Sequence, residues 1–501
     1  MTGEPGAVSW RELLRPSPAV ALVAALKLLL HLGTNWRYGF HRDELYYVVG
    51  GLHLDWGYVD HPPLVPLLAR AVTGLFGLSL PGLRLLPAVG GALIVLLAAA
   101  MARAFGGGRW AQLLAAVAVA CSPVFLASNT LFQTVTFDQL WWAVALLLAI
   151  RLIATGDARL WLALGAVIGI GLETKYTILL LAAGLALGAL LTPLRAQLRT
   201  PWPWLGLALA LAIALPNLVW QATHQFPTIE FSRNNNAEIQ REQTRLAFVL
   251  QQLLLAGPIS LPLLLAGGWW LWPLRLTPYR ALGWAALAVL GALLLVNGKP
   301  YYAAPLYPLL FAAGAVAIER LAEGRARWRP RVILGVFALA GLVPLPLLVP
   351  LLPVELMARN KLYALNQDLA EMVGWPEALG QIAAVYHNLP SDQRDTTIIL
   401  TDSYGEAAAV ELLGASYGLP RAVSAHNSYY VWSEGRLDAD TYIVVGYSTE
   451  RLLTLFGDVR PAGVLDNALD VENELAGKPI HICRAPIRSL GEQWPALKHF
   501  N

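Results

Sequence analysis

Charged residues are scarce in this chain. Only 14% of its 501 residues are charged, whereas 56% are hydrophobic, and the formal net charge is +3. This composition is typical of a polytopic membrane protein and argues against a soluble enzyme. Because most arginines stand in short clusters between apolar runs, the small positive charge indicates membrane topology, and we expect a lipid bilayer and no nucleic acid as a partner.

Cysteines and nucleotide-binding motifs are also lacking. The two cysteines, Cys121 and Cys483, are too few and too differently placed to predict a disulfide framework or a cysteine metal site. The chain has no glycine-rich phosphate loop, no Walker lysine and no serine nucleophile motif. These absences exclude ATP-driven and hydrolase interpretations, so the few ionisable residues near apolar segments become the main candidates for function.

Apolar segments dominate the first 353 residues. A spanning helix needs about 20 apolar residues, and somewhat fewer where aromatic residues anchor its ends. The first segment is read as a retained helix because no small-residue cleavage site follows it. The sequence therefore predicts an α-helical membrane domain, 1–353, with about 11 transmembrane helices. The predicted spans are 18–33, 83–103, 110–128, 136–153, 159–173, 176–194, 203–221, 246–272, 280–297, 302–320 and 331–352.

Arginine placement predicts the orientation. With the N-terminus in the cytoplasm, pairs such as Arg103/Arg109 and Arg195/Arg199 fall in cytoplasmic connections, as the positive-inside rule requires. Residues 34–82, here called the acidic loop, and residues 354–501, here called the tail, then both lie outside. The expected location is the inner (plasma) membrane, with the tail in the periplasm.

Both outer segments have recognisable patterns. Within the acidic loop, 43–53 and 64–77 carry apolar residues at helical spacing and predict interfacial helices. The tail has more charge and shorter apolar runs, with strands predicted at 396–402 and 442–446 and helices at 406–417 and 449–456. We therefore expect a second domain, 354–501, that is soluble and of the α/β class.

The acidic loop concentrates ionisable residues. Asp43 and Glu44 are either a solvated pair or include a general base, whose pKa partial desolvation would raise. Asp60 and His61, before two prolines, either form a turn or bind substrate. A divalent metal site in this loop also remains an open alternative. No two candidate ligands have a spacing that is typical of metal sites, however, and we assign no metal ligand.

Other candidates lie at the outer ends of predicted spans. Asp138 is either a helix N-cap or an ionisable group with a function at membrane depth. Lys175 and Lys299 occupy very short outer turns, against the positive-inside rule, so they either reach lipid headgroups or bind the phosphate of a lipid substrate. Arg233, in the loop 222–245, could do the same.

Two tail segments follow predicted strands. They are Tyr404-Gly405-Glu406 and the stretch 424–432, which contains Ser428. Loops in this position often bind ligands in α/β proteins, but ordinary packing explains such residues equally well. Both interpretations remain open at this point.

Four motifs together resemble a known family. They are Arg42-Asp43-Glu44, Asp60-His61-Pro62-Pro63, Thr136-Phe137-Asp138 and Gly298-Lys299-Pro300-Tyr301-Tyr302. In this order they resemble the bacterial branch of the dolichyl-phosphate-mannose protein mannosyltransferase family, which includes the lipid A aminoarabinose transferase. The resemblance covers about residues 18–352 and implies the fold of the C-type glycosyltransferases (GT-C fold).

The resemblance also implies an activity. Such enzymes move a sugar from a polyprenyl-phosphate carrier to a glycan, lipid or protein acceptor on the periplasmic side, usually with inversion, and require no nucleotide-sugar domain. Asp43 matches the first-loop catalytic acid, while His61 replaces a lysine of the lipid A enzymes. A transporter or flippase of lipid-linked sugars is the alternative. The candidate catalytic residues are thus Asp43, Glu44 and Asp138, and the candidate substrate-binding residues are Asp60, His61, Lys175, Arg233, Lys299, Tyr301 and Tyr302.

Overall fold

The structure is a computed structural model that describes residues 9–275, 277–322 and 329–501. The chain forms two compact units. The first contains Met1–Asn35, Arg84–Trp220 and Asn236–Val349, and the second contains Trp36–Leu83, Gln221–Asn235 and Pro350–Asn501. The acidic loop and the tail, which the arginine pattern assigns to the same side, thus fold together in the second unit. The predicted domain boundary at 353 stays a prediction.

The first unit is helical. Each of the eleven apolar stretches predicted to span the membrane forms one to three helices, which confirms the fold class. Its longer helices are Pro18–Thr34, Leu80–Ala104, Arg109–Cys121, Thr134–Thr155, Leu160–Leu172, Ile178–Leu190, Trp202–Thr223, Arg245–Ala256, Leu261–Trp270, Arg280–Val296, Tyr307–Ala322 and Arg329–Leu342. Its shorter helices are Trp10–Leu13, Pro123–Ser128, Pro193–Arg199, Pro258–Ser260, Pro300–Leu306 and Leu345–Leu348.

Length and apolar composition identify membrane spans among these helices. In the described part of the chain, 4 helices are long and apolar enough to cross a membrane, or up to 6 if each of two bent pairs forms one span. Shorter apolar helices of 10–17 residues accompany them. The chain is a multi-pass membrane protein, and the number of eleven spans stays a prediction.

Small residues allow the membrane helices to approach closely. A Cβ atom at Gly188 would collide with the carbonyl oxygen of Ala281, and one at Gly314 would collide with that of Leu263. Without a hydrophobic driving force between helices in lipid, such close packing supplies much of the association energy. The helix pair Ile178–Leu190 and Arg280–Val296 therefore depends on glycine at 188.

The second unit contains a mixed sheet. Among the described residues its five strands are β1 (Thr397–Thr401), β2 (Ala422–Ser424), β3 (Thr441–Val445), β4 (Phe456–Val464) and β5 (Pro479–Pro486), in the order β2-β1-β3-β5-β4. β1 is parallel to β2 and β3, whereas β5 is antiparallel to β3 and β4. This sheet confirms the predicted α/β character of the tail.

The second unit also contains many short helices. The helices of the second unit are Arg42–Leu52, Leu64–Phe76, the part of Pro227–Glu242 up to Asn235, Val354–Arg359, Leu362–Leu365, Gln367–Ala370, Trp375–His387, Ser391–Arg394, Tyr404–Leu413, Gly414–Tyr417, Ser428–Trp432, Thr449–Leu453 and Leu490–Leu497. Both helices predicted in the acidic loop are present. The predicted helix 449–456 ends earlier than expected, because the chain enters β4 at Phe456.

The acidic loop is built into the core of the second unit. Leu45 and Val49, on the inner face of the helix Arg42–Leu52, belong to the same buried cluster as Trp375, Ile399 and Ile443. Burying large apolar side chains contributes about 1.5–3 kcal/mol each. The tail therefore fixes the helix that carries Asp43 by hydrophobic packing.

Candidate active site

The helix Arg42–Leu52 begins at the acidic pair. His41 is its N-cap, and the ring Nδ1 accepts a hydrogen bond from the amide of Asp43 at 3.1 Å. The Glu44 carboxylate in turn accepts from the amide of His41 at 2.9 Å, which completes a capping box. Glu44 is fully buried. These contacts give Glu44 a structural role, that of satisfying an amide at the start of the helix.

Asp43 is more accessible than Glu44. Its side chain is 28% exposed and lies in the first turn of the helix, where the helix dipole favours a negative charge. The Tyr404 hydroxyl donates a hydrogen bond to Asp43 Oδ1 at 2.7 Å, and Arg42 Nε lies 3.8 Å from the same oxygen. A partly exposed carboxylate held in this way has the accessibility and orientation that a general base needs.

Asp60 is held by a second tyrosine. The Tyr46 hydroxyl donates to Asp60 Oδ1 at 2.7 Å and accepts a hydrogen bond from the Ser428 amide at 3.1 Å. The Ser428 hydroxyl also accepts from the Val59 amide at 3.1 Å, which fixes the segment just before Asp60. Burial raises the pKa of Asp60, an effect that the nearby His61 opposes.

His61 lies among aromatic rings. Its ring centroid is 4.6 Å from that of Tyr58, 4.9 Å from that of Tyr47 and 5.5 Å from that of Tyr46. The ring is buried, and its Nε2 lies 3.9 Å from Asp60 Oδ1, beyond hydrogen-bonding distance. These contacts fix the imidazole beside Asp60.

Arg233 is placed differently from the other candidates of the second unit. It lies exposed on the helix Pro227–Glu242, and within the described residues its side chain makes no contact with Asp43 or Asp60. The structure therefore gives no support for Arg233 as a phosphate ligand.

Asp138 and Lys175 belong to the first unit. Asp138 is buried near the start of the helix Thr134–Thr155 and accepts hydrogen bonds from Trp142 Nε1 at 3.1 Å and from the Thr177 hydroxyl at 2.8 Å. Lys175 interacts electrostatically with Asp138. Asp138 does not cap the helix, since its N-cap is Gln133. Its two donors instead orient the carboxylate for interaction with Lys175.

The tyrosines after Lys299 contact Lys175. The Lys175 ammonium lies 5.2 Å from the ring centroid of Tyr301 and 5.0 Å from that of Tyr302, and the two rings form an edge-to-face pair. Such distances allow cation–π attraction. Lys299 is half-buried as the N-cap of the short helix Pro300–Leu306. The first unit thus brings Lys175, Asp138 and both tyrosines into one polar group.

The geometry of the described residues does not support a metal site held by side chains. Across residues 9–275, 277–322 and 329–501, no group of three or more His, Cys, Asp or Glu side chains could hold a metal ion. We therefore derive no catalytic step through a metal held by protein side chains.

Sequence reasoning missed several residues that contact the candidates. Tyr404 and Ser428 lie in the two tail segments that follow strands, but nothing in the sequence showed which residues they contact. Trp142 follows Asp138 by one helical turn, so the i, i+4 rule could have identified it. Thr177, close after Lys175, had no comparable signal.

Comparisons with known proteins show what this chain resembles. Residues 60–220 match the family described as dolichyl-phosphate-mannose-protein mannosyltransferase. The lipid A galacturonosyltransferase RgtD of Rhizobium johnstonii is 29% identical over 222 residues, which are 41% of this chain and 46% of that protein. This chain therefore spans less than half the length of that relative.

Solved structures share the fold. The structure of ArnT from Cupriavidus metallidurans in the apo state has a TM-score of 0.61 at 15% identity, and that of ArnT bound to undecaprenyl phosphate has 0.59 at 17% identity. Each comparison covers 92% of this chain and 97% of the other. The shared fold confirms that this chain has the GT-C fold, and the match over residues 60–220 confirms the resemblance to the dolichyl-phosphate-mannose protein mannosyltransferases that the sequence predicted.

Proposed function

We propose that this protein is an integral-membrane glycosyltransferase that takes a sugar from a polyprenyl-phosphate donor and transfers it to an acceptor on the periplasmic side. The observation that carries the proposal is the placement of Asp43, a partly exposed carboxylate at a helix N-terminus, fixed by the Tyr404 hydroxyl at 2.7 Å. A transporter of lipid-linked sugars has no need for an oriented base.

The comparisons suggest which substrates to test first. One structure with this fold is ArnT bound to undecaprenyl phosphate, and the curated relative is named a lipid A galacturonosyltransferase. These names support undecaprenyl phosphate as the carrier. They also make lipid A the first acceptor to test, ahead of other glycans and proteins.

The reaction needs one base. In our proposal Asp43 takes the proton of an acceptor hydroxyl while that oxygen forms a bond to the anomeric carbon of the sugar. The bond from this carbon to the phosphate oxygen breaks, and its electron pair leaves with the polyprenyl phosphate. Attack opposite the leaving group inverts the anomeric configuration. No general acid is needed, because the phosphate is already a good leaving group.

Cations stabilise the leaving phosphate in this proposal. Lys175 is the first candidate, since Tyr301, Tyr302 and Asp138 hold its ammonium group in place. Lys299 is the second candidate. Fixed charges directed at developing negative charge typically contribute about 2–4 kcal/mol to transition-state stabilisation. Asp138 acts here through Lys175, while Asp60 and His61 shape the sugar-binding side of the acidic loop.

A comparison of cells with and without the gene tests the proposal. Mass spectrometry of lipid-linked sugars and of lipid A should show that deletion causes one polyprenyl-phosphate sugar to accumulate and one sugar to disappear from an envelope glycan or lipid. The wild-type gene should restore the product. Asp43→Asn, which keeps the shape and removes the basicity, should lower product formation by about 100-fold or more.

Two results would contradict the proposal. Unchanged glycans and lipids after deletion would argue against a transferase. Movement of lipid-linked sugar across liposomes by the purified protein, without any new glycosidic bond, would favour the flippase alternative. Restoration by Asp43→Asn would leave the transferase intact but would reject Asp43 as its base.

A further inference from the structure

The tail places a tyrosine at the start of a rigidly capped helix. Tyr404 is the first residue of the helix Tyr404–Leu413, and the preceding Ser403 forms a capping box with Glu406. The Glu406 carboxylate also accepts a hydrogen bond from the Lys478 ammonium at 2.5 Å, in the segment that leads into β5. The backbone at Tyr404 is therefore fixed from both sides.

The Tyr404 side chain is equally fixed. Its ring centroid lies 4.5 Å from that of Tyr46 and 4.8 Å from that of His426. Burial raises the pKa of Tyr404 well above its ordinary value, and the negative charge of Asp43 raises it further. The hydroxyl consequently keeps its proton at neutral pH and acts as the donor to Asp43.

A second contact from the tail follows the same pattern. The Ser428 amide donates to the Tyr46 oxygen, and Tyr46 donates to Asp60. Hydrogen bonds in such a chain polarise one another, so the amide strengthens the bond from Tyr46. Asp43 and Asp60 in the acidic loop are thus each bonded to a tyrosine hydroxyl whose position depends on the tail.

We propose that the tail supplies positioning residues to the active site, and that Tyr404 orients Asp43 and favours its ionised form during transfer. This inference rests on the proposed function, because it assigns the role of Tyr404 through Asp43. A hydrogen bond donated to a carboxylate stabilises the charged form. It also restricts rotation of the carboxylate, and a base must be aligned with the proton that it removes.

Other charged groups also face Asp43. Arg42 and His41 lie on its own segment, with the His41 ring 4.0 Å from Asp43 Oδ2. Asp60 and Glu371 interact with Asp43 as like charges. Replacing Tyr404 by Phe leaves all four groups in place, so a change in pH dependence in this variant reports the missing hydroxyl.

The test is the pH profile of Tyr404→Phe. Purified full-length protein is mixed with a detergent extract of membranes from cells that lack the gene, which supplies donor and acceptor. Product is quantified by mass spectrometry from about pH 3 to about pH 8.5, a range that includes the ordinary pKa of an aspartate. Without the hydrogen bond, Asp43 protonates more readily, so the acidic limb of the profile should move up by about one pH unit. The rate below the limb should fall about 10-fold, and the high-pH rate should change less than about 3-fold.

A matched control separates positioning from stability. Tyr442 is a buried tyrosine in β3 whose hydroxyl donates to the Leu437 carbonyl at 2.8 Å, on a face of the sheet with a separate core. Tyr442→Phe removes a buried hydroxyl as well, and it should leave the pH profile unchanged. In a double-mutant cycle, Tyr404→Phe should add no further loss to Asp43→Asn, because the two residues act as one unit.

The outcomes are distinguishable. An unshifted limb in Tyr404→Phe, or a loss that multiplies with that of Asp43→Asn, would overturn the positioning role while the transferase activity stands. A limb that moves equally in Tyr442→Phe would also overturn it. Absence of product with the unsubstituted protein would reject the proposed function, and this inference with it.

Discussion

Lys175 offers a sharp test of the proposed phosphate site. Replacing it by Gln removes the charge and keeps much of the side-chain length. In the ground state the change removes two cation–π contacts, at 5.2 and 5.0 Å, which are worth about 0.5–1 kcal/mol each at exposed sites. The change also removes the interaction of Lys175 with the buried Asp138 carboxylate, so the melting temperature should fall and turnover is compared on folded protein.

The stabilisation of the transition state should also decrease. If Lys175 neutralises the leaving phosphate, its removal should cost about 2–4 kcal/mol, which corresponds to roughly a 30- to 900-fold lower turnover. Lys175→Arg should restore part of the rate, because guanidinium groups bind phosphate and stack on aromatic rings. Tyr301→Phe and Tyr302→Phe keep both ring faces and should retain most of the activity.

The assay is transfer in detergent with saturating lipid-linked donor, together with thermal unfolding of each variant. Lys361→Gln is the control, since Lys361 is exposed and paired with Glu472 at 3.2 Å, and exposed pairs of this kind contribute little to stability. A loss of less than about 3-fold for Lys175→Gln would refute the phosphate assignment. Lys299 would then be the remaining candidate.

Four further predictions concern other residues. Lys299→Gln should lower turnover by about 30-fold with unchanged melting temperature, and near-native turnover would indicate a lysine that only contacts headgroups. Glu44→Ala should destabilise the protein by about 0.5–2 kcal/mol through loss of the capping box. A loss of turnover of about 100-fold in fully folded protein would instead indicate a catalytic role for Glu44. Burial raises the pKa of Asp60 in the folded state. The stability that the Asp60 carboxyl group contributes is therefore present at low pH and is lost as the pH rises through that pKa. Asp60→Asn should therefore raise the melting temperature at pH 7.5 and not at pH 3, and an equal shift at both would contradict this reasoning. For the orientation, cysteines are introduced at the exposed positions Asp55 and Ser391, in a Cys121→Ala background that retains the buried Cys483. Both should react with an impermeant thiol reagent from the periplasmic side. Labelling of only one would contradict the predicted orientation.

Hydrophobicity alone predicted most of the fold. The membrane helices are recognisable because apolar runs of about 20 residues are typical of membrane spans and rare elsewhere, and β1 and β3 are continuous buried runs. The strand β4 escaped prediction because Gly457, Pro461 and Gly463 interrupt it and most of its side chains are exposed, as an edge strand allows. The strand β5 begins and ends with proline. Because proline is uncommon in strands, this sequence pattern favours a loop.

The site was predictable only in part. Asp43, Asp60 and Asp138 stood out because carboxylates are rare in so apolar a chain. Their partners did not, since Tyr404 lies 361 residues from Asp43 along the sequence, and a tyrosine in a tail has many ordinary roles. Lys175 and the pair Tyr301 and Tyr302 are likewise distant in sequence, and only folding shows that they share one location.

The second unit is assembled from distant parts of the chain, and this determines when the candidate site can form during synthesis. The acidic loop leaves the ribosome early, but Leu45 and Val49 complete their core only with Trp375, Ile399 and Ile443, which are made after every predicted membrane span. Contacts of such long sequence separation form late in folding. The helix that carries Asp43 thus stays unsupported until translation is almost finished, and in a nascent or truncated chain the proposed base lacks the packing that fixes its helix.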